Sequence, residues 1–278
     1  MNLDGKLVAS YVRKQVAEDV RRINDEITLA LIMVGNNPAS ATYVRNKQKA
    51  CEEVGINVRS FLLDENTSQK ELLSIIEECN NDVKVNGILV QLPLPSHIEE
   101  DVIVNAINAD KDVDGLNILN QGNLMVGKDG IVPATPKGVI NILKSNNIEL
   151  ASKHVVVVGR SNLVGKPLAM LFLKENATVT IAHSKTANLK EITKKADILA
   201  VAVGKPLFIT GDMVKRDVVV VDIGINRKDG KLVGDVDYES VNEVASYITP
   251  VPGGVGPMTI ASLLENVVKC YKKQNNIY

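Results

Sequence analysis

The sequence contains very little from which a protein stabilised by disulfides or organised around a metal could be built. Its 278 residues include no tryptophan, three cysteines and three histidines, and aromatic residues make up only 3%. The cysteines are isolated and form no CxxC pair, which is typical of reduced thiols in the cytosol and not of a disulfide framework. Because the histidines are scattered along the chain, the sequence predicts no metal site.

Strong net charge and long apolar runs are also lacking. The net charge is −1, so no basic surplus indicates binding to nucleic acid or to an anionic membrane. The start of the chain, MNLDGKLVAS, has no apolar signal-peptide core, and no apolar run reaches the ~18 residues of a membrane span. We therefore expect a cytoplasmic protein, and the length suits one large globular domain or two smaller ones.

Helix and strand signals alternate through the first third of the chain. Residues 5–23 carry apolar side chains at helical spacing, and a second helix opens near Pro38. Ser68 and Glu71 form a candidate capping box ahead of a third helix. The apolar runs between these helices predict buried strands at 27–35, 56–63 and 86–95. This βαβαβ order predicts a parallel sheet covered by helices.

A second series of signals follows a stretch rich in Gly, Asn and Asp. We interpret that stretch, residues 110–138, as a loop and domain junction with a linking helix near 136–147. Strand, glycine turn, helix and strand then follow from 153 to 186. The sequence predicts two more strands, at 196–204 and 217–224. A hairpin around Asp229-Gly230 is predicted at 225–237, and a final helix from 256 onward.

The segment VVVVGRSNLVGKPLAM contains a turn that could hold phosphate groups. A P-loop fits poorly, because Gly159 and Gly165 are one residue too far apart and Pro167 replaces the required hydroxyl. A dinucleotide turn of a doubly wound fold fits better, since an all-valine strand leads in and Pro167 suits the first turn of the helix leading out. A tight strand-to-helix turn without a ligand is the remaining alternative.

The end of the next strand indicates which dinucleotide binds. NAD-specific sites often place Asp or Glu there to bind the ribose hydroxyls, whereas this chain has AHSKT at 182–186. His183, Ser184 and Lys185, with Arg160 in the turn, offer donors and positive charge that suit a ribose phosphate. The sequence therefore predicts NADP as the cofactor, with a solvated loop as the alternative for His183 and Lys185.

Tyr43 and Lys47 lie four residues apart on a predicted helix, which places their Cβ atoms roughly 5–6 Å from each other. The spacing matches YxxxK of short-chain dehydrogenases, but in that family the glycine turn precedes the pair, whereas here it follows. An isolated pair of this kind is usually a surface feature. Gln91 at a strand end, Asp114 in DKDVDGLN and the rigid loop at 249–259 favour a functional site instead.

Seven motifs occur together and in order: NPASATYVRNKQKACEEVGI, GILVQLPLP, DKDVDGLN, PATPKGV, GRSNLVGKPLAMLF, ATVTIAHSKT and ITPVPGGVGPMTIASLL. With them the chain resembles, over essentially its whole length, the bifunctional methylenetetrahydrofolate dehydrogenase/methenyltetrahydrofolate cyclohydrolase family. The resemblance implies NADP-dependent oxidation of methylenetetrahydrofolate to methenyltetrahydrofolate, then hydrolysis to formyltetrahydrofolate. It also implies a place in one-carbon metabolism serving purine, methionine and histidine biosynthesis.

The resemblance implies an architecture as well. An N-terminal α/β folate domain, residues 1–118 with 257–278, and a C-terminal Rossmann-like doubly wound parallel sheet, residues 119–256, are expected to flank a cleft. The C-terminal helix is expected to return to the N-terminal domain. Two chains are expected to form a homodimer, with folate as substrate and neither nucleic acid nor membrane as a partner.

Individual residues also acquire roles from the resemblance. The expected catalytic residues are Lys47, Tyr43, Gln91 and Asp114, with Tyr43 stacking on the substrate, Gln91 positioning the lysine and Asp114 binding the pterin. The expected cofactor-binding residues are Gly159, Arg160, Ser161, Ser184 and Ile225, and Tyr43 and Asp114 are joined in substrate binding by Pro252, Gly253 and Gly254. Two departures from the family are Ala134 and Ala182, where cysteine is common.

The implied chemistry agrees with these residue types. Hydride transfer from the folate needs positioning more than acid or base, whereas attack of water on the cationic methenyl carbon needs a proton acceptor such as a neutral lysine. Two other functions stay open on the residues alone. One is a two-domain NAD(P)-dependent dehydrogenase for another small substrate, such as an amino acid, and the other is a non-catalytic NADP-binding protein.

Overall fold

A computed structural model describes residues 1–277, and of Ala39 it describes only the backbone. The chain divides into two compact units. The three-stranded unit consists of Tyr11–Ala134 together with the chain from Ile260 onward, and the five-stranded unit consists of Met1–Ser10 and Thr135–Thr259. This division confirms the predicted α/β organisation in two domains.

The first half of the chain alternates helices and strands as predicted. Its elements are α1 Gly5–Ile23, β1 Thr28–Val34, α2 Pro38–Val54, β2 Asn57–Leu63, α3 Gln69–Asn81, β3 Gly87–Val90, α4 Glu100–Ala106 and α5 Ile118–Met125. The predicted capping box is confirmed, since Ser68 Oγ accepts from the Glu71 N–H at 3.2 Å and the Glu71 carboxylate accepts from the Ser68 N–H at 2.8 Å.

Helix α5 lies within the stretch that the sequence predicts to be a loop, and that part of the prediction is wrong. The helix is short, and Leu124 is its one buried apolar residue, whereas Ile118, Leu119 and Met125 are more than 60% exposed; its apolar residues therefore form no continuous buried face. Its start is set locally, because the side chain of Asn117 accepts a hydrogen bond from the Leu119 N–H at 2.8 Å.

The three-stranded sheet has the order β2-β1-β3, and both pairings are parallel. The central strand β1 is buried on both faces, which explains its uninterrupted apolar sequence. Leu29 and Leu31 belong to one core cluster, which also contains apolar residues of α1 and α2, while Ala30 and Ile32 belong to another, which contains Leu72 of α3. The sheet therefore fixes where the loops at the ends of its strands emerge.

The second half of the chain forms a second series of elements. They are α6 Ala134–Ser145, β4 His154–Val158, α7 Gly165–Lys174, β5 Thr178–Ala182, α8 Leu189–Thr193, β6 Ile198–Val201, a short 3-10 helix Gly211–Met213, β7 Val219–Asp222, β8 Asn226–Lys228, β9 Lys231–Val233, α9 Tyr238–Asn242, β10 Tyr247–Ile248 and α10 Val255–Gln274. Helix α6 begins ahead of Pro136, so the linking helix starts slightly earlier than predicted; a proline in the first turn costs no hydrogen bond.

The five-stranded sheet has the order β10-β7-β6-β4-β5 with every pairing parallel, as a doubly wound fold requires. After β4 the chain runs outward to β5 and then returns to β6 on the other side of β4. The strand order therefore reverses between β4 and β6, and ligands of such folds bind at that point. The predicted hairpin is also confirmed, with Asp229 and Gly230 both at positive φ between β8 and β9.

The two units divide at positions that differ from the expected boundaries at 118/119 and 256/257. Residues 119–134 belong with the three-stranded unit because Asn120 donates to Asp112 at 3.0 Å and the Asn266 side chain donates to the Val132 carbonyl at 2.8 Å. The first residues of the chain belong with the five-stranded unit because the Leu3 N–H donates to the Ile248 carbonyl at 2.9 Å.

All three cysteines, Cys51, Cys79 and Cys270, are buried and free. Within the described part of the chain, no helix combines the length and the apolar character needed to cross a membrane.

Candidate functional site

Lys47 occupies the buried stripe of α2, between apolar residues that include Val44 and Cys51. Only 8% of Lys47 is exposed, and its Nζ donates a hydrogen bond to Oε1 of Gln91 at 3.0 Å. Tyr43, one helical turn earlier, is 39% exposed. The helix thus presents an accessible phenol ring beside a buried amine, and the structure brings the amine into contact with Gln91.

Gln91 is held in one orientation by its own backbone. It follows directly after β3, and its N–H donates to the Ile32 carbonyl of β1 at 2.8 Å. Its side-chain Nε2 donates to the Leu92 carbonyl at 2.6 Å, which leaves Oε1 to face Lys47. A neutral amide therefore holds the lysine, so the amine can exchange a proton without breaking an ion pair.

The thiol of Cys51, one turn beyond Lys47, supplies no opposing charge. Burial raises the pKa of Cys51 to about 12, so the group stays a neutral thiol near pH 7.

Asp114 lies on a loop that is fastened to β3. Asp112 pairs with Ile88 in a parallel bridge, and the Ile88 N–H donates to the Lys111 carbonyl at 2.7 Å. Because the loop runs parallel to β3 from this bridge, Asp114 is directed toward the same end of the strand as Gln91. Asp114 itself is partly exposed, which leaves its carboxylate accessible to a ligand.

The shape of this loop depends on Asp112, which the sequence analysis did not single out. Its buried carboxylate accepts hydrogen bonds from the Gly115 N–H at 3.0 Å, the Asn117 N–H at 2.8 Å and the Asn120 amide at 3.0 Å. Burial raises the pKa of Asp112 to about 6; the three donors act against this rise, and the charge of Asp114 adds to it. In the sequence, the only indication of this role is the closely spaced aspartates of DKDVDGLN, and that spacing does not show which of them is buried.

In the five-stranded unit, the turn between β4 and α7 depends on two glycines. Gly159 has φ +132°, and a Cβ there would lie 2.3 Å from the Ala202 carbonyl oxygen. A Cβ on Gly165 would lie 2.3 Å from the Gly159 oxygen. The strand, the turn and the first turn of α7 are therefore packed too closely for any other residue, as dinucleotide turns require.

A pocket of about 410 Å³ opens at this turn. It lies where the strand order reverses, between the ends of β4 and β6, and its lining contains Val158, Gly159, Arg160, His183, Ser184, Thr186, Leu189, Ala202, Val203, Lys205 and Phe208. None of these residues is acidic, and Arg160 has no hydrogen-bond or ion-pair partner among the described residues. The donor set and the close-packed turn fit a phosphorylated dinucleotide.

The segment after β5 forms a compact turn that presents His183 and Ser184 to the pocket. The His183 N–H donates to Thr186 Oγ1 at 2.8 Å, and the Lys185 N–H lies 3.2 Å from His183 Nδ1. Since Nδ1 accepts this hydrogen bond, the neutral imidazole carries its proton on Nε2.

The pocket contains three of the five residues expected to bind the cofactor, namely Gly159, Arg160 and Ser184. Ser161 and Ile225 are not part of its lining. Ser161 Oγ accepts from the Val164 N–H at 3.2 Å and the Gly165 N–H at 3.3 Å, so its side chain supports the start of α7. Ile225 is 48% exposed in the segment after β7.

The expected substrate-binding residues do not all lie in one unit. Tyr43 and Asp114 belong to the three-stranded unit, whereas Pro252, Gly253 and Gly254 belong to the five-stranded unit. There the Gly253 carbonyl accepts a hydrogen bond from the Lys6 N–H at 3.1 Å.

Lys205 and Phe208 line the pocket but were not identified from the sequence. Lys205 Nζ lies 5.4 Å from the centre of the Phe208 ring, within reach of a cation–π contact. Both residues follow β6, so the rule that ligands bind at the carboxyl ends of parallel strands was the signal that could have found them.

Comparison with known proteins gives the family. The profile described as tetrahydrofolate dehydrogenase/cyclohydrolase, catalytic domain, matches residues 3–114, and the NAD(P)-binding domain of the same name matches residues 133–275. The chain belongs to the tetrahydrofolate dehydrogenase/cyclohydrolase family. The resemblance inferred from its seven motifs is thereby confirmed.

Relatives of this tetrahydrofolate dehydrogenase/cyclohydrolase chain match it over almost its full length. A bifunctional protein FolD of Acetivibrio thermocellus is 52% identical over 98% of this chain and 97% of its own length. The crystal structure of a FolD methylenetetrahydrofolate dehydrogenase/cyclohydrolase from Campylobacter jejuni superimposes with a TM-score of 0.96 at 49% identity, covering 99% of both chains. The FolD structure from Trypanosoma brucei, complexed with NADP cofactor and inhibitor, has a TM-score of 0.94 at 35% identity and covers 99% of this chain and 98% of its own.

Replacing Asp112 by Asn should remove a pH-dependent part of the free energy of unfolding. The pKa of Asp112 is about 6 in the folded chain and about 3.9 in an unfolded one. Because the pKa is raised on folding, this group stabilises the fold fully only below about pH 4, and the stabilisation is lost as the pH rises through about 6. Relative to Asp112→Asn, the unmodified protein should therefore lose up to about 3 kcal/mol between about pH 4 and pH 7.

Urea unfolding followed by circular dichroism at several pH values across this window measures the difference. Asp101→Asn, which removes an exposed carboxylate from the first turn of α4, is the matched control and should show no such trend. A constant stability difference between Asp112→Asn and the unmodified protein would contradict the prediction.

Proposed function

We propose that two groups of residues, one in each unit, carry the chemistry of this enzyme. The enzyme oxidises methylenetetrahydrofolate to methenyltetrahydrofolate with NADP and then hydrolyses the product to formyltetrahydrofolate. In this proposal the three-stranded unit binds the pterin of the folate and performs the hydrolysis, and the five-stranded unit binds NADP. A dehydrogenase acting on an unrelated substrate is not favoured, because the family match extends over both units.

The observation that carries the proposal is the buried amine of Lys47 on a neutral partner. Its Nζ lies 3.0 Å from Gln91 Oε1, and the ring of Tyr43 is accessible one helical turn away. A lysine on a surface would be surrounded by water, whereas this one is 8% exposed and held by a hydrogen bond to Gln91. Such an amine can accept a proton from a water molecule next to a bound ligand.

The hydrolysis follows from this arrangement. The methenyl carbon of the oxidised folate is cationic, so it is the carbon that water attacks, and Lys47 is the base positioned to accept the proton. Water adds to that carbon while Lys47 Nζ accepts one of its protons. The carbon–nitrogen bond then opens as the hydroxyl becomes the formyl carbonyl, and the proton lost from the hydroxyl is balanced by the proton that the departing nitrogen takes up. Gln91 keeps Nζ in place throughout, because its Oε1 can accept a hydrogen bond from the amine in either protonation state.

The oxidation step needs placement of the folate more than proton transfer. Bound NADP supplies the hydride acceptor. Tyr43 stacks on the folate and donates a hydrogen bond from its hydroxyl, and the carboxylate of Asp114 accepts two hydrogen bonds from the guanidine-like edge of the pterin. Asp112 maintains the loop that carries Asp114. Pro252, Gly253 and Gly254 offer a rigid backbone that a substrate can approach closely.

We place the cofactor phosphates at the β4–α7 turn. The backbone around Gly159 binds the pyrophosphate near the positive end of the α7 dipole, and Ser161 supports that helix start by accepting from the Val164 and Gly165 N–H groups. Arg160 and Ser184 bind the additional phosphate of NADP, and Ile225 contacts the cofactor from the segment after β7. The lack of acidic residues in the pocket lining supports NADP over NAD.

The expected setting of the enzyme is the cytoplasm, where its products supply one-carbon units to purine, methionine and histidine biosynthesis.

We also propose a homodimer that forms through β5. This strand is an edge of the five-stranded sheet, and its sequence, TVTIA, contains no charge. Ile181 is 38% exposed on it, and Leu173 of the neighbouring α7 is 57% exposed. Unprotected edges of this kind pair with another chain. The other long edge strand, β2, is protected by Arg59, which forms ion pairs with Glu78 and Asp82.

Lys47→Met should separate the two activities. The variant keeps the length of the side chain and loses the amine, so cyclohydrolase activity should fall by about 10²–10⁴-fold, the usual effect of a general base. Dehydrogenase activity should fall much less, and methenyltetrahydrofolate should accumulate. Separate assays of each step on the purified protein measure this, with Lys49→Met, an exposed lysine of the same helix, as control. An equal loss of both activities would mean that Lys47 only positions the substrate.

Arg160→Ala should weaken the use of NADP more than the use of NAD. The unmodified enzyme should favour NADP by at least about tenfold in kcat/KM, or roughly 1.4 kcal/mol, and the variant should lose most of that preference. Steady-state kinetics with both cofactors measure it, with Lys174→Ala at the far end of α7 as control. An equal loss with both cofactors would show that Arg160 does not contact the additional phosphate.

Ile181→Lys should convert the dimer into a monomer. The substitution would place a charge on the edge strand that pairs in both chains, which disfavours association. Light scattering after size-exclusion chromatography should give twice the chain mass of 30.1 kDa for the unmodified protein and the single mass for the variant. Leu62→Lys on β2, where Leu62 is 70% exposed, should remain a dimer. Dissociation by Leu62→Lys alone would place the interface at the other sheet.

A further inference from the structure

Asp235 lies behind the cofactor pocket and is completely buried. Its Oδ2 accepts from the Val203 N–H at 2.6 Å and the Gly204 N–H at 2.9 Å, and its Oδ1 accepts from the Lys205 N–H at 2.8 Å and the Asn226 amide at 2.9 Å. One carboxylate thus satisfies three successive backbone donors and one side chain. No role in the chemistry derived above uses it.

Three of the groups that Asp235 holds belong to the wall of the pocket. Val203 and Lys205 line it and donate to the carboxylate, and Phe208 lines it and donates from its N–H to the Asp235 carbonyl at 2.7 Å. Asp235 itself is not part of the lining. It therefore reaches the ligand only through the loop that it fixes.

The fourth donor connects this wall to the segment after β7. Asn226 directly follows Ile225, the residue proposed to contact the cofactor. Gly224 on the other side is packed against the same carboxylate, since a Cβ there would lie 2.3 Å from Asp235 Cγ. The carboxylate is consequently a common support for two loops that leave neighbouring strands, β6 and β7.

We propose that Asp235 is a positioning residue for the cofactor, which holds the loop 203–208 and the segment 224–226 in the arrangement that NADP binds. The proposal rests on the placement of NADP in this pocket. Without the carboxylate, three adjacent N–H groups lose their acceptor, and a loop with buried unpaired donors rearranges to find others. The loss should appear in cofactor binding and not in the hydrolysis of methenyltetrahydrofolate, which requires no cofactor.

Asp235→Asn is the direct test, because it keeps the shape and replaces one acceptor oxygen by a donor. We expect the KM for NADP to rise at least tenfold, with kcat at saturating NADP changed less than threefold. Cyclohydrolase activity, assayed without cofactor, should stay within twofold of the unmodified enzyme. A folded Asp235→Asn protein whose KM for NADP changes less than twofold would overturn the proposal.

Asp197→Asn is the matched control for a structural role. Asp197 is an aspartate of the same sheet that precedes β6, and it accepts from the His154 N–H at 2.7 Å and from Lys215. It therefore lies at the opposite end of β6 from the pocket. This variant should leave the KM for NADP unchanged, and an increase equal to that of Asp235→Asn would mean that general destabilisation explains both.

Asn226→Ala decides the question if Asp235→Asn does not fold. Asn226 is half-buried, and its replacement removes only one of the four donors to the Asp235 carboxylate. The KM for NADP should rise at least threefold, and an unchanged KM would contradict the proposal. Arg160→Ala, assayed in parallel, separates the two levels of inference. If Arg160→Ala has no effect on the use of NADP, the placement of NADP is wrong, whereas an effect of Arg160→Ala alone rejects only the role of Asp235.

Discussion

The parallel pairing of the strands is the constraint on which the rest of this structure depends. In a parallel sheet the carboxyl ends of all strands lie at the same end of the sheet. The loops that follow the strands are therefore close in space although they are far apart in sequence. Gln91 lies at this end of the three-stranded sheet, directly after β3. In the five-stranded sheet the pocket-lining residues Arg160, Ser184 and Lys205 follow β4, β5 and β6, respectively. The helices and the apolar strands form the hydrophobic cores, and the candidate site residues named here lie just beyond the ends of the strands.

The loops that follow the strands do not pair with one another as strands do, so their backbone N–H groups need other acceptors. In this structure buried carboxylates are those acceptors. Asp112 is such an acceptor for the loop of Asp114, and Asp235 is one behind the pocket at the β4–α7 turn. Asp222, buried at the end of β7, accepts from the Asp235 N–H and the Val236 N–H at 2.9 Å each, and burial raises the pKa of Asp222 to about 6. Charge is thus placed in the interior where backbone donors would otherwise be unpaired.

The sequence predicted the elements whose signal is local. The helix at α2, the capping box of Ser68 and the Asp229-Gly230 hairpin each depend on neighbouring residues and were correct. Helix α5 was missed because it is short and only one of its apolar residues, Leu124, is buried, which is too little to produce a helical pattern. Asp112 and Asp235 were missed because their role depends on N–H groups that donate to them from residues elsewhere in the chain. In the sequence alone, an aspartate at either position is equally consistent with a surface turn. The contact between Lys47 and Gln91 joins residues 44 positions apart; the motifs suggested it, but periodicity could not.

The burial of the cysteines has a consequence for how the protein meets oxidants and electrophiles. Burial raises the pKa of Cys51 to about 12 and the pKa values of Cys79 and Cys270 as well, and all three side chains are inaccessible in the folded chain. Peroxide and alkylating agents react with exposed thiolates, and the fold offers them none. As long as the chain stays folded, Cys51, Cys79 and Cys270 are therefore protected from oxidation and alkylation.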